Sequence, residues 1–370
     1  MHRPRLNAER RTSTVFVLLL VLLPSSFALA RAEQEKITIG VSVPLTGAAA
    51  TYGTDVKNVL LFANSFLAKG NYRLQVEDDH CDSKEAAAIA HKFANIDKVK
   101  YVLGLPCSNT MLASAPIYEA AKVLVIGSYA AAPHISLSGD YIFRTRPSSA
   151  EGAALLAQHV SEQHKTFAIL AEQTEYGQDM KQAFIQRLPP DTDIVVEDFL
   201  SSLPDYRTLI FRIKAKAVSG LVILSQTEQT LAALVRQVRE ANWPVQLYGA
   251  YHPGSSTFLA LAGKEAEGLI FVTLPSARSI LNEEGKSVFD NYLKTFGPMN
   301  SNDYTFFTAF ASFAALHQAL QSGEDVKAYL YRAKFPCLFG EFSFDQNGDI
   351  AGIRHVLKRI SQGKAEVIEQ

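Results

Sequence analysis

Ile37-Thr38-Ile39-Gly40-Val41-Ser42-Val43 runs into Pro44-Leu45-Thr46-Gly47, and residues 56–67 then carry apolar side chains at helical spacing. An apolar, β-branched run halted by Pro and Gly predicts a strand and a turn, and the spacing after it predicts a helix. The unit repeats down the chain. Residues 72–77 are a second strand, and Ser83 opens an Ala-rich helix with Glu85 in its first turn, where a carboxylate is favoured. Residues 101–105 give a third strand, 111–121 a helix and 123–126 a fourth strand. Near-continuous apolar strands alternating with helices predict a parallel sheet covered on both faces.

The alternation restarts beyond Arg144-Thr145-Arg146-Pro147, with strands expected at 167–170, 194–197, 220–224, 245–248 and 268–272 and helices between them. Two such rounds, each long enough for a domain, predict an α/β protein of two doubly wound lobes. A long helix is expected over 304–320 and a short one over 325–333. The chain then ends in an expected hairpin, with 340–344 and 355–360 flanking Asp345-Gln346-Asn347-Gly348.

The 370 residues are 48% hydrophobic and 20% charged, an ordinary globular composition that excludes disorder, collagen and coiled coil. With 36 Lys+Arg against 37 Asp+Glu there is no basic excess for a nucleic-acid surface. Arg3, Arg5, Arg10 and Arg11 precede the apolar run 15–23, and Ala28-Leu29-Ala30 and Ala30-Arg31-Ala32 follow it. That is the layout of a cleaved secretory signal over residues 1–32; the run is too short to span a bilayer. Its removal takes away five Arg and one Glu, leaving 31 basic and 36 acidic residues. A soluble exported protein is expected.

Nucleophile elbows, zinc-protease motifs, phosphate loops and strand-linked dinucleotide fingerprints are absent from the sequence, which lowers the case for an enzyme. Asp78-Asp79-His80-Cys81-Asp82 is ligand-rich, but consecutive strand residues point to opposite faces, so a strand-end loop is expected there and no metal. Cys81 and Cys107 each follow a strand of the first sheet. If those strands are neighbours, a disulfide between them is feasible, and export supplies the oxidising compartment. It would close a loop of about 25 residues and stabilise the first lobe by roughly 3 kcal/mol. Cys337 is odd, expected buried and inert. Arg144, Arg146 and Lys181 are read as solvated surface, with anion contact as the alternative.

Ile37-Thr38-Ile39-Gly40 with Thr46-Gly47, Tyr52-Gly53, the Asp78–Asp82 run, Gly104-Leu105-Pro106-Cys107-Ser108, Ala132-Pro133, Glu175-Tyr176-Gly177, Ala266-Glu267-Gly268 and Phe344-Asp345-Gln346-Asn347-Gly348-Asp349 occur in this order. In that order they resemble the leucine/isoleucine/valine-binding family of periplasmic binding proteins of ABC importers, over residues 37 to about 360. The resemblance implies a type I periplasmic binding protein fold: two Rossmann-like lobes joined by three crossings, here near 143–147, 272–275 and 339–341. Lobe 1 would comprise 33–145 plus 276–338, and lobe 2 would comprise 146–275 plus 339–370. It also implies a Cys81–Cys107 bridge, a periplasmic monomer without cofactor, and inner-membrane permease subunits as partners. The expected function is a receptor of the branched-chain amino acid type, with an aromatic or other non-amino acid or amide, or a sensory module of the same fold, as alternatives.

The implied ligand set is Tyr52, Cys107, Ser108, Tyr129, Ala131, Tyr176, Thr227, Tyr251 and Tyr304. Cys107 and Ser108 match a turn that holds the ligand carboxylate, while Ala131 stands where the family uses a hydroxyl. Tyr251 departs furthest, because amino-acid binders place an acid there for the ammonium. An uncompensated buried ammonium costs several kcal/mol, and a cage of tyrosines would return about 0.5–2 kcal/mol per ring. Either the match slips locally at Tyr251, or the ligand is a carboxylate without an α-ammonium; the amino-acid-type receptor stays first and the aromatic acid is the alternative.

Overall fold

The structure, a computed structural model, describes residues 1–2, 36–200, 202–203 and 205–369. Apart from its first two residues, the expected leader of 1–32 lies outside the described residues. β1 (Thr38–Val43), β2 (Arg73–Asp78), β3 (Tyr101–Gly104), β4 (Leu124–Gly127) and β5 (Ile142–Arg144) form a parallel sheet in the order β2-β1-β3-β4-β5. β6 (Thr166–Glu172), β7 (Asp193–Phe199), β8 (Gly220–Leu224), β9 (Gln246–Ala250) and β10 (Ile270–Thr273) form a second, also parallel among themselves. β11 (Phe335–Cys337), β12 (Gly340–Phe344) and β13 (Ile350–Ala351) make a small antiparallel sheet, and β14 (Val356–Ser361) returns to pair antiparallel with β10, with β15 (Lys364–Glu369) antiparallel outside it at the sheet edge.

The continuous apolar strands are explained by what covers them. Successive residues of a strand point to opposite faces, so Val102, Val125 and Ile142 enter one core while Leu103, Ile126 and Phe143 enter the other. The second sheet divides likewise, Leu221 and Ile223 on one side and Val222 and Leu224 on the other. The helix Tyr304–Gln321 is buried nearly all round, as a helix without a polar face must be. Its Phe306 and Phe310 pack against Phe62 and Phe66 of the helix Ala50–Ala68.

The C-terminal segment differs from expectation in two ways. The turn at 345–349 does make a hairpin, but β12 pairs with β13, whereas residues 356–361 join the second sheet and hairpin with β15 around Gln362 and Gly363, both at positive φ. Phe342, Phe344 and Ile350 lie in the first lobe's core. The third passage between lobes therefore follows Ile353, not residues 339–341. Arg144, read as surface, is fully buried: Nε and Nη2 grip the Asp349 carboxylate at 2.5 and 2.8 Å, Nη2 also donates to Ser136 Oγ, and Nη1 donates to the Ala132 carbonyl.

Candidate functional site

The loops after the parallel strands of both lobes face one another, which is where such sheets bind ligands. After β1 the chain turns into the helix Ala50–Ala68, and Gly53 lets that helix approach closely: a Cβ there would stand 1.8 Å from the Pro44 carbonyl oxygen. That approach sets Tyr52, 2% exposed, at the cleft. After β3, Cys107 leads into the helix Ser108–Ala121. The Ser108 hydroxyl accepts from the Ala131 and Ala132 amides at 3.3 and 3.1 Å, tying this loop to the one after β4. Its own proton is left to donate. Cys81 and Cys107 are bridged, and the Tyr52 hydroxyl lies 3.5 Å from Cys107 Sγ and 3.8 Å from Cys81 Sγ. Asp78 caps the β1 turn through the Leu45 amide and the Thr46 hydroxyl, and Asp79 accepts from Ser42, so these acids brace the turns.

Tyrosines wall the cleft. Tyr52 and Tyr129 stack with centroids 5.2 Å apart, Tyr129 and Tyr304 at 5.5 Å, and the Tyr304 hydroxyl donates to that of Tyr129 at 2.9 Å. Tyr176 meets Tyr251 edge-on at 6.4 Å. Burial pushes all five phenols above their usual pKa, so the wall is neutral. Tyr251 itself has φ 58°, ψ −53°, a strained conformation for a non-glycine residue. It is held there by Asn302 Nδ2 on its carbonyl at 2.9 Å and by His355 Nε2, 2.9 Å from its hydroxyl.

Arg146 overturns the expectation of a solvated side chain. It is 3% exposed, its guanidinium 4.4 Å from the Tyr129 ring centroid, 4.3 Å from Tyr251 and 5.4 Å from Tyr304. Nη1 donates to the Tyr129 carbonyl at 2.5 Å, while Nε has no hydrogen-bond partner. Where the ammonium-facing position was expected there is a cation over a tyrosine. The Tyr176 hydroxyl is likewise buried and unpaired. Lys181, the third cation read as surface, is 14% exposed and pairs with Asp198 at 2.8 Å, away from this cavity.

The inner cavity is about 20 Å³, on the order of one water molecule. Of the expected set, Tyr52, Cys107, Ser108, Tyr129, Ala131 and Tyr176 line it. Tyr251 and Tyr304 stand behind Arg146, and Thr227 caps the helix Glu228–Glu240 and lines an outer interlobe groove of about 680 Å³. Pro106, Arg146, Gln226 and His252 complete the inner lining. Behind His252 lies Glu228, fully buried, its Oε1 3.4 Å from His252 Nδ1 and neither carboxylate oxygen hydrogen-bonded. Among the described residues no group of His, Cys, Asp and Glu is arranged to hold a metal, and no helix is long and apolar enough to cross a membrane.

A model of the periplasmic binding protein family matches residues 36–355. The chain belongs to that family. Among relatives of this periplasmic binding protein, a leucine-, isoleucine-, valine-, threonine- and alanine-binding protein of Pseudomonas aeruginosa is 28% identical over 363 residues, covering 93% of this chain and 94% of the relative. A leucine-binding protein of Thermotoga maritima shares the fold with a TM-score of 0.82 at 18% identity, covering 90% and 97% of the two chains. A solute-binding protein of Rhodopseudomonas palustris in complex with 3,4-dihydroxybenzoic acid gives 0.77 at 20%, covering 90% and 96%. The curated relatives are solute-binding proteins and not enzymes, and this periplasmic binding protein is likewise a binding protein and not an enzyme.

Proposed function

We propose that the chain is the exported, periplasmic solute receptor of an ABC importer, handing its solute to permease subunits in the inner membrane, and that the solute is a small carboxylate without an α-ammonium. The observation that carries the ligand class is Arg146. A guanidinium is always charged; three rings and the Tyr129 carbonyl offset much of its burial cost, but the unpaired Nε remains a buried donor that an anion would satisfy. Ser108, Tyr176 and Arg146 supply donors to the same cavity, and charge-assisted bonds to a carboxylate are the strong ones. An α-ammonium directed at Tyr251 would meet this guanidinium and find no counter-ion. The neutral, ring-lined wall favours a flat apolar body, and since the inner cavity is only about 20 Å³ the lobes must part to admit it. The solved relatives include both kinds of binder, so they do not choose between them.

A second reading, an amino acid, is favoured by Glu228 alone, a buried acid beside His252 whose two carboxyl oxygens have no hydrogen bond. A thermal-shift screen of aromatic acids, aliphatic acids, amides, ureas and leucine tests both. Acids lacking an ammonium should raise the melting temperature most. A larger shift with leucine would transfer the site to the second reading, and no shift with any small solute would end the receptor reading.

A further inference from the structure

One side chain borders both spaces of the cleft. Gln226, 9% exposed, lines the inner cavity and the outer groove together. Its backbone is fixed by the amide donating to Glu172 Oε2 at 2.6 Å. Its side-chain amide crosses between the lobes, Nε2 lying 3.3 Å from Asn109 Oδ1 and 3.2 Å from Cys81 Sγ.

The orientation of that amide follows from its neighbours. Asn109 Nδ2 donates to the Cys81 carbonyl at 2.7 Å. A carbonyl only accepts, so the nitrogen of Asn109 must lie there and its oxygen must face Gln226. Gln226 must then present nitrogen to Asn109, which turns Oε1 the other way. That oxygen is buried with no hydrogen-bond partner. The cleft thus has unpaired donors at Arg146 Nε and the Tyr176 hydroxyl, and at the neck an oriented unpaired acceptor in Gln226 Oε1, apart from His252 Nδ1 and the Glu228 oxygens behind it. Around them the lining is phenol rings, Cys107 of the disulfide, Pro106, Ser108, Ala131 and His252.

We propose that Gln226 is the specificity-determining residue of the site, its Oε1 accepting a hydrogen bond from a hydroxyl or amino group on the end of the solute remote from the carboxylate. The solute class is a planar carboxylic acid bearing one such donor, its carboxylate on Arg146 and its donor at the neck. A site built to receive a donor discriminates sharply against the analogue lacking it, because the acceptor is then left buried and unpaired. This inference rests on the carboxylate-receptor reading above.

Calorimetry with benzoate, 3-hydroxybenzoate and 4-hydroxybenzoate tests it on the full mature chain. The wild type should prefer one hydroxylated acid over benzoate tenfold or more. In Gln226→Met that preference should vanish while benzoate still binds. In Asn109→Leu, which keeps the acceptor but frees the amide to turn, the preference should fall towards unity, and this variant serves if Gln226→Met does not fold. Equal binding of the three acids by the wild type, or a preference unchanged in a folded variant, overturns the role of Gln226 and leaves the carboxylate reading standing. Failure of all three acids to bind, with leucine binding instead, overturns both.

Discussion

At the scale of single residues the cleft sets an electrostatic cost against a functional return. Arg146 gives up hydration for three rings, one carbonyl and nothing on Nε. Desolvation of such a cation costs several kcal/mol, and each ring returns about 0.5–2 kcal/mol, so the two nearly offset in the free protein. Arg146→Met should therefore change the stability of the free protein by no more than about 1 kcal/mol, yet weaken a carboxylate solute by a hundredfold or more. Denaturant melts and calorimetry separate the two; a loss of more than about 3 kcal/mol in the melt would make Arg146 a structural residue. The sequence hid this role because an arginine is ordinarily solvated. The signal was its position: Arg146 follows β5 where the chain passes between lobes, and a crossing at the centre of the molecule has little access to water. Tyr52, Ser108 and Tyr176 were expected at the cleft only because the segments that carry them resemble the family's; the turn signals located the loops and did not single out these side chains. Gln226 and His252 carry no such mark beyond adjacency to Thr227 and Tyr251.

At the scale of elements, close approaches tie the strands and helices to the site. Gly152 lies in the helix Ser149–Gln163, and a Cβ there would stand 2.6 Å from the Tyr251 hydroxyl and 2.9 Å from His355 Cδ2. An alanine normally favours a helix interior by about 0.5–1 kcal/mol over glycine, but displacing a packed, hydrogen-bonded ring costs about 1–3 kcal/mol. Gly152→Ala should be net destabilising in a denaturant melt and should weaken solute binding through Tyr251; a more stable variant would show that the rings have room to move. Asp79, at the end of β2, is a different case. Burial pushes its carboxyl up to about 6 despite bonds from Ser42 and the Cys81 amide. Because the folded value lies above the unfolded one, the folded state holds the proton more tightly. Stability is therefore lost as pH rises from about 4 through about 6 and is level above that. Asp79→Asn should remove this loss, standing above the wild type by roughly 1–3 kcal/mol at pH 7.5 and close to it at pH 4. A difference independent of pH would refute the assignment to Asp79. Periodicity made most elements readable, but β15 was missed, although Gln362-Gly363 is the kind of pair a tight hairpin turn uses. The pairing of β12 was misjudged because a turn signal names the turn and not how far the partner strand extends.

At the scale of the whole molecule, two lobes were legible from the restart of the alternation after residue 147, since each round suffices for its own two-faced sheet. The third passage was not, because alternation alone does not say which core a strand enters. Phe342, Phe344 and Ile350 belong to the first lobe because the aromatic cluster around Phe335 and Phe143 is there to receive them. The lobes also touch across the cleft mouth. His134, beside the first sheet, places Nδ1 2.5 Å from Asp179 Oδ1, and its backbone amide donates to Oδ2 at 3.3 Å; Asp179 belongs to the helix Glu175–Ile185 of the other lobe. His134 is 65% exposed at its side chain, so the pair contributes no more than about 1 kcal/mol. That small energy acts on the balance between open and closed lobes, and solute affinity scales with the fraction in the closed, competent form. Asp179→Asn should therefore lower solute affinity by up to about fivefold and enlarge the solute-free molecule in small-angle scattering, while the saturated complex keeps the wild-type size. Equal affinity and equal dimensions in variant and wild type would show that the pair forms only after the solute has closed the lobes.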